Sequence, residues 1–99
     1  MVLDVRWTDE FRNWLYRLRD DNAVGRISTR IRRLEHGNPG DVKSLSGGLM
    51  EMRIDYGPGY RVYYVRRGAL IVVLLCGGDK RTKQRDIKRA QAMASELED

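Results

Sequence analysis

The chain has 99 residues, 19 of them Lys or Arg against 14 Asp or Glu, giving a formal net charge of +5. That length suits a single domain, 1–99, around one core. Its one cysteine excludes an internal disulfide framework, no stretch reaches the ~18 consecutive apolar residues of a membrane span, and the basic excess favours anionic partners without naming one.

Met1 to Trp7 has no charged leader followed by an apolar core, so a cytoplasmic protein with no membrane partner is expected. Val2 to Arg6 alternates like a short first strand. Thr8 then offers an N-cap, with Asp9 and Glu10 in the positive first turn of a helix. Phe11, Trp14, Leu15 and Leu18 recur at helical spacing and predict one buried stripe, with Trp14 as a core anchor. Asp20-Asp21-Asn22 breaks the pattern and supplies a second cap, after which Val24, Ile27, Ile31 and Leu34 predict a helix to about Glu35. The two segments make a helical hairpin whose outer surface carries Arg26, Arg30, Arg32 and Arg33. A solvated charged face is the plain reading of those arginines; phosphate contact or docking of an acidic partner are the sharper ones.

His36 sits in the last helical turn, where it complements the helix dipole. Gly37 and Asn38-Pro39-Gly40 end the helix in a turn, and Asp41 to Gly48 reads as a polar loop with Val42 and Leu45 tucked inward. Met50, Met52 and Ile54 alternate with Glu51, Arg53 and Asp55; beyond Gly57-Pro58-Gly59, Tyr60, Val62 and Tyr64 alternate with Arg61, Tyr63 and Val65. This predicts two strands paired through a tight reversal, with one apolar and one polar face. If they pair, Arg53 and Arg61 share the polar face with Glu51, Asp55, Tyr63 and Val65. Ala69 to Cys76 is apolar throughout and reads as a covered central strand, with Cys76 a buried, inert thiol at its end. Gly77 and Gly78 are expected to let the backbone leave the sheet there. Asp79 or Thr82 would then cap a last helix carrying Ile87, Ala90, Ala94 and Leu97 on one side.

Lys80, Arg81, Lys83 and Arg85 cluster beside the end of that central strand. With Arg53, Arg61, Tyr63 and Glu51 they form a set suited to grip and cleave a phosphodiester. No spacing of His, Cys or Asp suggests a metal site, and neither a Walker loop nor a Ser-His-Asp set is visible, so no cofactor is expected.

The run from Glu51 to Tyr64, with Gly57-Pro58-Gly59-Tyr60-Arg61 at its centre, and the segment from Cys76 through Gly77-Gly78-Asp79-Lys80 to Ile87 resemble the RelE/ParE toxin superfamily. More narrowly they resemble its HigB-like addiction-module branch, related to phage Gp49. The resemblance implies an α+β, RelE-like fold: an N-terminal strand, a helical hairpin, a three-stranded antiparallel meander and a C-terminal helix. It also implies the toxin of a type II toxin–antitoxin pair, neutralised by a helix-turn-helix antitoxin. RelE-like members cut mRNA on the ribosome without a metal, the ribose 2′-OH attacking the adjacent phosphate; ParE-like members inhibit DNA gyrase instead.

By the same likeness, Arg61 would neutralise the scissile phosphate, Arg53 stands where relatives place a strand lysine, and Lys80 and Arg81 fall in the family's basic segment. Arg53 is a poor general base, so Glu51 or a lysine from 80–83 would take the proton and Tyr63 would supply one to the leaving group. Arg81, Lys83, Arg85, Arg30 and Arg33 are the expected RNA contacts, and the basic stretch 26–33 is the expected antitoxin surface.

Overall fold

Thr8 and Asp20 start the first two helices by giving their side-chain oxygens to backbone amides. The computed structural model describes residues 2–97. Within them the order is β1 (Asp4–Trp7), α1 (Asp9–Arg17), α2 (Asp21–Glu35), β2 (Val42–Ser44), β3 (Leu49–Ile54), β4 (Tyr60–Arg67), β5 (Ile71–Asp79) and α3 (Lys83–Glu96), with 3-10 turns at Ser46–Gly48 and Lys80–Thr82. Thr8 Oγ1 accepts from the Phe11 amide at 3.1 Å and donates to the Leu75 carbonyl at 2.6 Å, so the cap of α1 also ties it to β5. Asp20 Oδ1 accepts from the Asn22 and Ala23 amides at 2.9 and 3.2 Å. Losing such a cap costs about 1 kcal/mol.

The strands form one mixed sheet in the order β1-β5-β4-β3-β2. β1 runs parallel to β5, while the other neighbours are antiparallel. On one face, Phe11, Leu15, Ile27, Ile31 and Leu34 of α1 and α2 pack on Met52, Ile54, Val62, Tyr64, Val72 and Leu74. The expected stripe of α1 is present, with Phe11 and Leu15 buried but Trp14 and Leu18 only half-buried at its edge, and its aromatic rings continue in a row: Trp7 to Phe11 at 5.1 Å, Phe11 to Trp14 at 5.7 Å, Trp14 to Tyr60 at 6.2 Å.

Three details depart from the expectations. The segment Asp41 to Gly48 is not all loop, because Val42 and Ser44 pair with Met52 and Met50 and add an edge strand to the meander. The central strand does not leave the sheet at Gly77: Gly77 pairs with Val62 and Gly78 with Arg61, carrying β5 on to Asp79. These glycines serve space rather than backbone freedom. A Cβ on Gly77 would overlap the Trp14 ring, and one on Gly78 would overlap the Asp86 carboxylate. Finally, the face expected to be polar is a second core along much of its length, since α3 crosses it and encloses Leu49, Tyr63, Val65, Leu75 and Cys76 with Ala90. Burial pushes the Cys76 thiol up to about 12, with the charges of Glu10 and Asp86 adding to it. Among the described residues no helix is long and apolar enough to cross a membrane.

Candidate active site

Because α3 begins only at Lys83, the end of the second sheet face nearest the Gly57-Pro58-Gly59 reversal is left open. Gly57 and Gly59 both take positive φ, 56° and 81°, which the reversal requires and side-chain-bearing residues seldom adopt. The register that follows places Arg53 directly opposite Arg61, and Arg61 directly opposite Gly78 on its other side. The space over Gly78 is taken by the Asp86 carboxylate and the Thr82 hydroxyl, while the Arg61 guanidinium lies beside Gly59. A cavity of about 400 Å³ opens here, lined among others by Asp41, Arg53, Asp55, Gly59, Arg61 and Lys80.

The two arginines share this cavity but differ in their partners. Arg61 Nη1 donates to its neighbours' carbonyls, Gly59 O at 3.1 Å and Tyr60 O at 3.3 Å, while its Nε is buried without a hydrogen-bond partner. Among the described residues no carboxylate pairs with it. Arg53, by contrast, lies against Asp41, whose Oδ1 is 2.8 Å from Nη2 and 3.3 Å from Nε. That bond raises the already high pKa of the Arg53 guanidinium. The two arginines therefore share the face that strand parity predicts but differ in charge balance: Asp41 already answers Arg53.

Asp41 is itself held in place by Arg30. This residue was expected on the outer surface, but its guanidinium turns inward as a strut, donating to Arg53 O at 2.6 Å, Pro39 O at 2.9 Å and Asp41 O at 3.1 Å. Those bonds leave it little to offer an RNA backbone. Arg33 is exposed on α2 with Arg26, lining a different cavity.

Glu51 and Tyr63 lie on the same face as Arg61, as their parity requires, yet both are fully enclosed. The Tyr63 hydroxyl donates to Glu51 Oε2 at 3.1 Å, and Lys83 Nζ lies 3.9 Å from Glu51 Oε1. Burial, then the neighbouring Glu51 charge, raises the Tyr63 hydroxyl far above its ordinary range. Neither was foreseen as interior; α3 covers them, and what they present to the outside is the ammonium of Lys83, about one-third exposed.

Lys80 is exposed on the cavity rim, with its side chain alongside Gly59. Arg81 is exposed but paired twice with Asp79, at 3.3 and 3.0 Å, and this holds the Asp79 carboxylate below its usual range. Arg85 points outward, 3.4 Å from Asp86, a nearly buried acid that also accepts from Thr82 Oγ1. Lys80, Arg81, Lys83 and Arg85 line a hollow of about 510 Å³ next to the Arg61 cavity. Asp41 and Asp86 are thus the residues that reading the chain missed, each toning down a cation that was counted as free. Asp79, expected as a cap, does accept from the Arg81 amide at 2.8 Å and pairs with the Arg81 side chain as well. Among the described residues no three His, Cys, Asp or Glu side chains gather in a metal-holding group.

The family model described as "Phage derived protein Gp49-like" matches residues 13–96, from the middle of α1 to the end of α3. The chain belongs to the Gp49-like family. Every element that builds the Arg61 cavity lies inside that match. An uncharacterized protein of Haemophilus influenzae is 46% identical to this Gp49-like chain over 97 residues, covering 98% of each. Among solved structures, the free state of a double arginine-to-alanine mutant of the E. coli toxin RelE superposes with a TM-score of 0.69 over 90% of this chain and 98% of that one. At 13% identity that likeness speaks for the RelE fold alone. The chain is thus a Gp49-like protein with a RelE-like fold.

Proposed function

We propose that this Gp49-like protein is a ribosome-dependent mRNA endonuclease that cleaves by attack of a ribose 2′-OH on the adjacent phosphate, without a metal. The observation that supports it most is Arg61, a cation free of any described carboxylate at the open end of the sheet, beside Lys80 and opposite Arg53. In the reaction a bond forms between the 2′-oxygen and phosphorus, the bond from phosphorus to the 5′-oxygen breaks, and charge gathers on the non-bridging oxygens between the two events. Arg61 stabilises that charge, its fork matching two phosphate oxygens at once. The exposed carboxylate of Asp55, on the same cavity wall, takes the proton of the 2′-OH, and the Lys80 ammonium gives one to the departing 5′-oxygen.

Glu51 and Tyr63 act from behind the surface as positioning residues, holding Lys83 where it meets a neighbouring phosphate. Arg53 binds another phosphate once RNA competes it away from Asp41. Arg81, Arg85 and Arg33 add weaker contacts along the strand, and a helix-turn-helix antitoxin silences the toxin by covering the basic surface.

The test is a cell-free translation extract dosed with purified protein. Loss of synthesis accompanied by new mRNA 3′ ends at the ribosomal A site is the expected result. Normal translation, with DNA supercoiling by gyrase inhibited instead, would replace the nuclease reading with the ParE-like one.

A further inference from the structure

We propose that the groove between α2 and the β3–β4 reversal is a nucleobase subsite, taking one unpaired base of the RNA strand against the Arg26–Tyr56 pair; this rests on the RNA-cleaving reading above. The groove has a volume of about 740 Å³ and adjoins the cavity that holds Arg61 where Ile54 and Asp55 line both. Its size falls in the range of small-ligand pockets.

Three features make it a platform for a flat ring. Tyr56 is fixed, its hydroxyl donating to Asp20 Oδ2 at 2.9 Å, so its ring is held at the groove wall. The Arg26 guanidinium lies 4.6 Å from the centre of that ring, presenting a planar cation of the kind on which unstacked RNA bases rest. Gly25, in the second turn of α2, lines the same groove, and a Cβ built there would meet nothing within 4 Å. Glycine weakens a helix interior, and at Gly25 no neighbour needs the room. The space it leaves belongs to the groove.

Charge separates a base from the other candidate occupant, an acidic peptide. Asp21 and Asp55 line the groove together with Arg26, Arg30 and Arg33, and the Arg30 guanidinium is turned to backbone carbonyls, so the groove is mixed in sign rather than purely basic. Those carboxylates repel an acidic segment, whereas they accept from the amino groups on base edges.

The probe is a single-stranded RNA hexanucleotide, 2′-O-methylated so that it cannot be cleaved, compared by fluorescence anisotropy with an abasic strand of equal length. Wild-type protein should bind the base-bearing strand at least about 5-fold more tightly, in keeping with one stacked base. Gly25→Leu, which improves helix propensity while filling the groove, and Tyr56→Leu should both lose that preference; Tyr56→Phe, which keeps the ring but gives up the Asp20 bond that holds it, should keep a reduced one. Equal binding of the two strands by the wild type, or a preference that survives both leucine variants, would overturn the proposal. So would a base-blind wild type whose Gly25→Leu variant loses the cognate antitoxin, which would make the groove a protein-docking surface. Arg61→Ala separates the underlying reading: it should weaken both strands alike, and unchanged affinity for both would count against the phosphate site while the base preference is still read independently.

Discussion

Arg53 and Arg61 stand directly opposite each other on β3 and β4, yet among the described residues only Arg53 is held by a carboxylate, with Asp41 Oδ1 2.8 Å from its Nη2. On the proposed RNA-cleaving reading, Asp41 occupies the position on Arg53 that a phosphate oxygen would take. Asp41→Asn should therefore release one cation to the RNA. Affinity for a short single-stranded RNA should rise a few-fold, and the slope of log K against log salt should steepen by about 0.7, the value for one added phosphate contact on a single strand. Anisotropy titrations at several salt concentrations check this; an unchanged slope would mean that Arg53 makes no phosphate contact.

Glu51 is an acid with no exposed surface, tied to Tyr63 and facing Lys83. Glu51→Ala strands the Tyr63 hydroxyl and removes the countercharge of Lys83, which is only partly screened by water. We expect a loss of about 2 to 3 kcal/mol of folding stability in urea. Glu51→Gln keeps the shape and an acceptor for Tyr63, and should lose less. Equal losses would show that packing, not the polar network, is what Glu51 provides.

Gly77 lies flat under the Trp14 ring, where a Cβ would overlap it. Gly77→Ala should cost about 1 to 3 kcal/mol by overpacking, lowering the melting temperature by roughly 4 to 8 °C for each kcal/mol. Pairing it with Trp14→Leu should recover part of that loss, because the two changes act on one contact. Purely additive melting data would contradict the steric reading.

Tyr56 and Asp20 make a pH-dependent pair. The Tyr56 hydroxyl, more than the α2 amides that Asp20 also caps, holds the Asp20 carboxylate below its ordinary range. A depressed carboxylate contributes stability that is present above its unfolded value near ~3.9 and is lost as the pH falls through its folded value. Tyr56→Phe should thus be less stable than wild type at pH 7, and the gap should narrow below about pH 4. Urea melts at pH 7 and pH 3 check it; a gap that stays constant would assign the difference to packing.

Much of this architecture could be read from local pattern. Thr8 and Asp20 announced their helices because capping is decided within three residues. The facing of Arg53 and Arg61 followed from strand parity and a short glycine-bracketed turn. What escaped were relations between distant parts of the chain. β2 is too short and polar to stand out, and exists because Val42 and Ser44 meet β3. Gly77 and Gly78 looked like breakers, since nothing nearby reveals that Trp14 and Asp86 arrive from elsewhere to fill the space above them. Glu51 and Tyr63 alternate like solvent-facing residues, and only the path of α3 encloses them. Arg30 has the spacing of a surface cation, but its three carbonyl partners lie 9 to 23 residues away.

The most direct measurement is the single-turnover rate of mRNA cleavage on ribosomes stalled at one codon, comparing wild type with Arg61→Ala at matched folding by circular dichroism. If Arg61 carries the charge of the phosphorane, the variant should cut about 10² to 10³ times more slowly, and a message with a single 2′-deoxynucleotide at the scissile position should resist both proteins. Cleavage by Arg61→Ala at the wild-type rate, or cleavage of the deoxy-substituted message, would contradict the proposed chemistry.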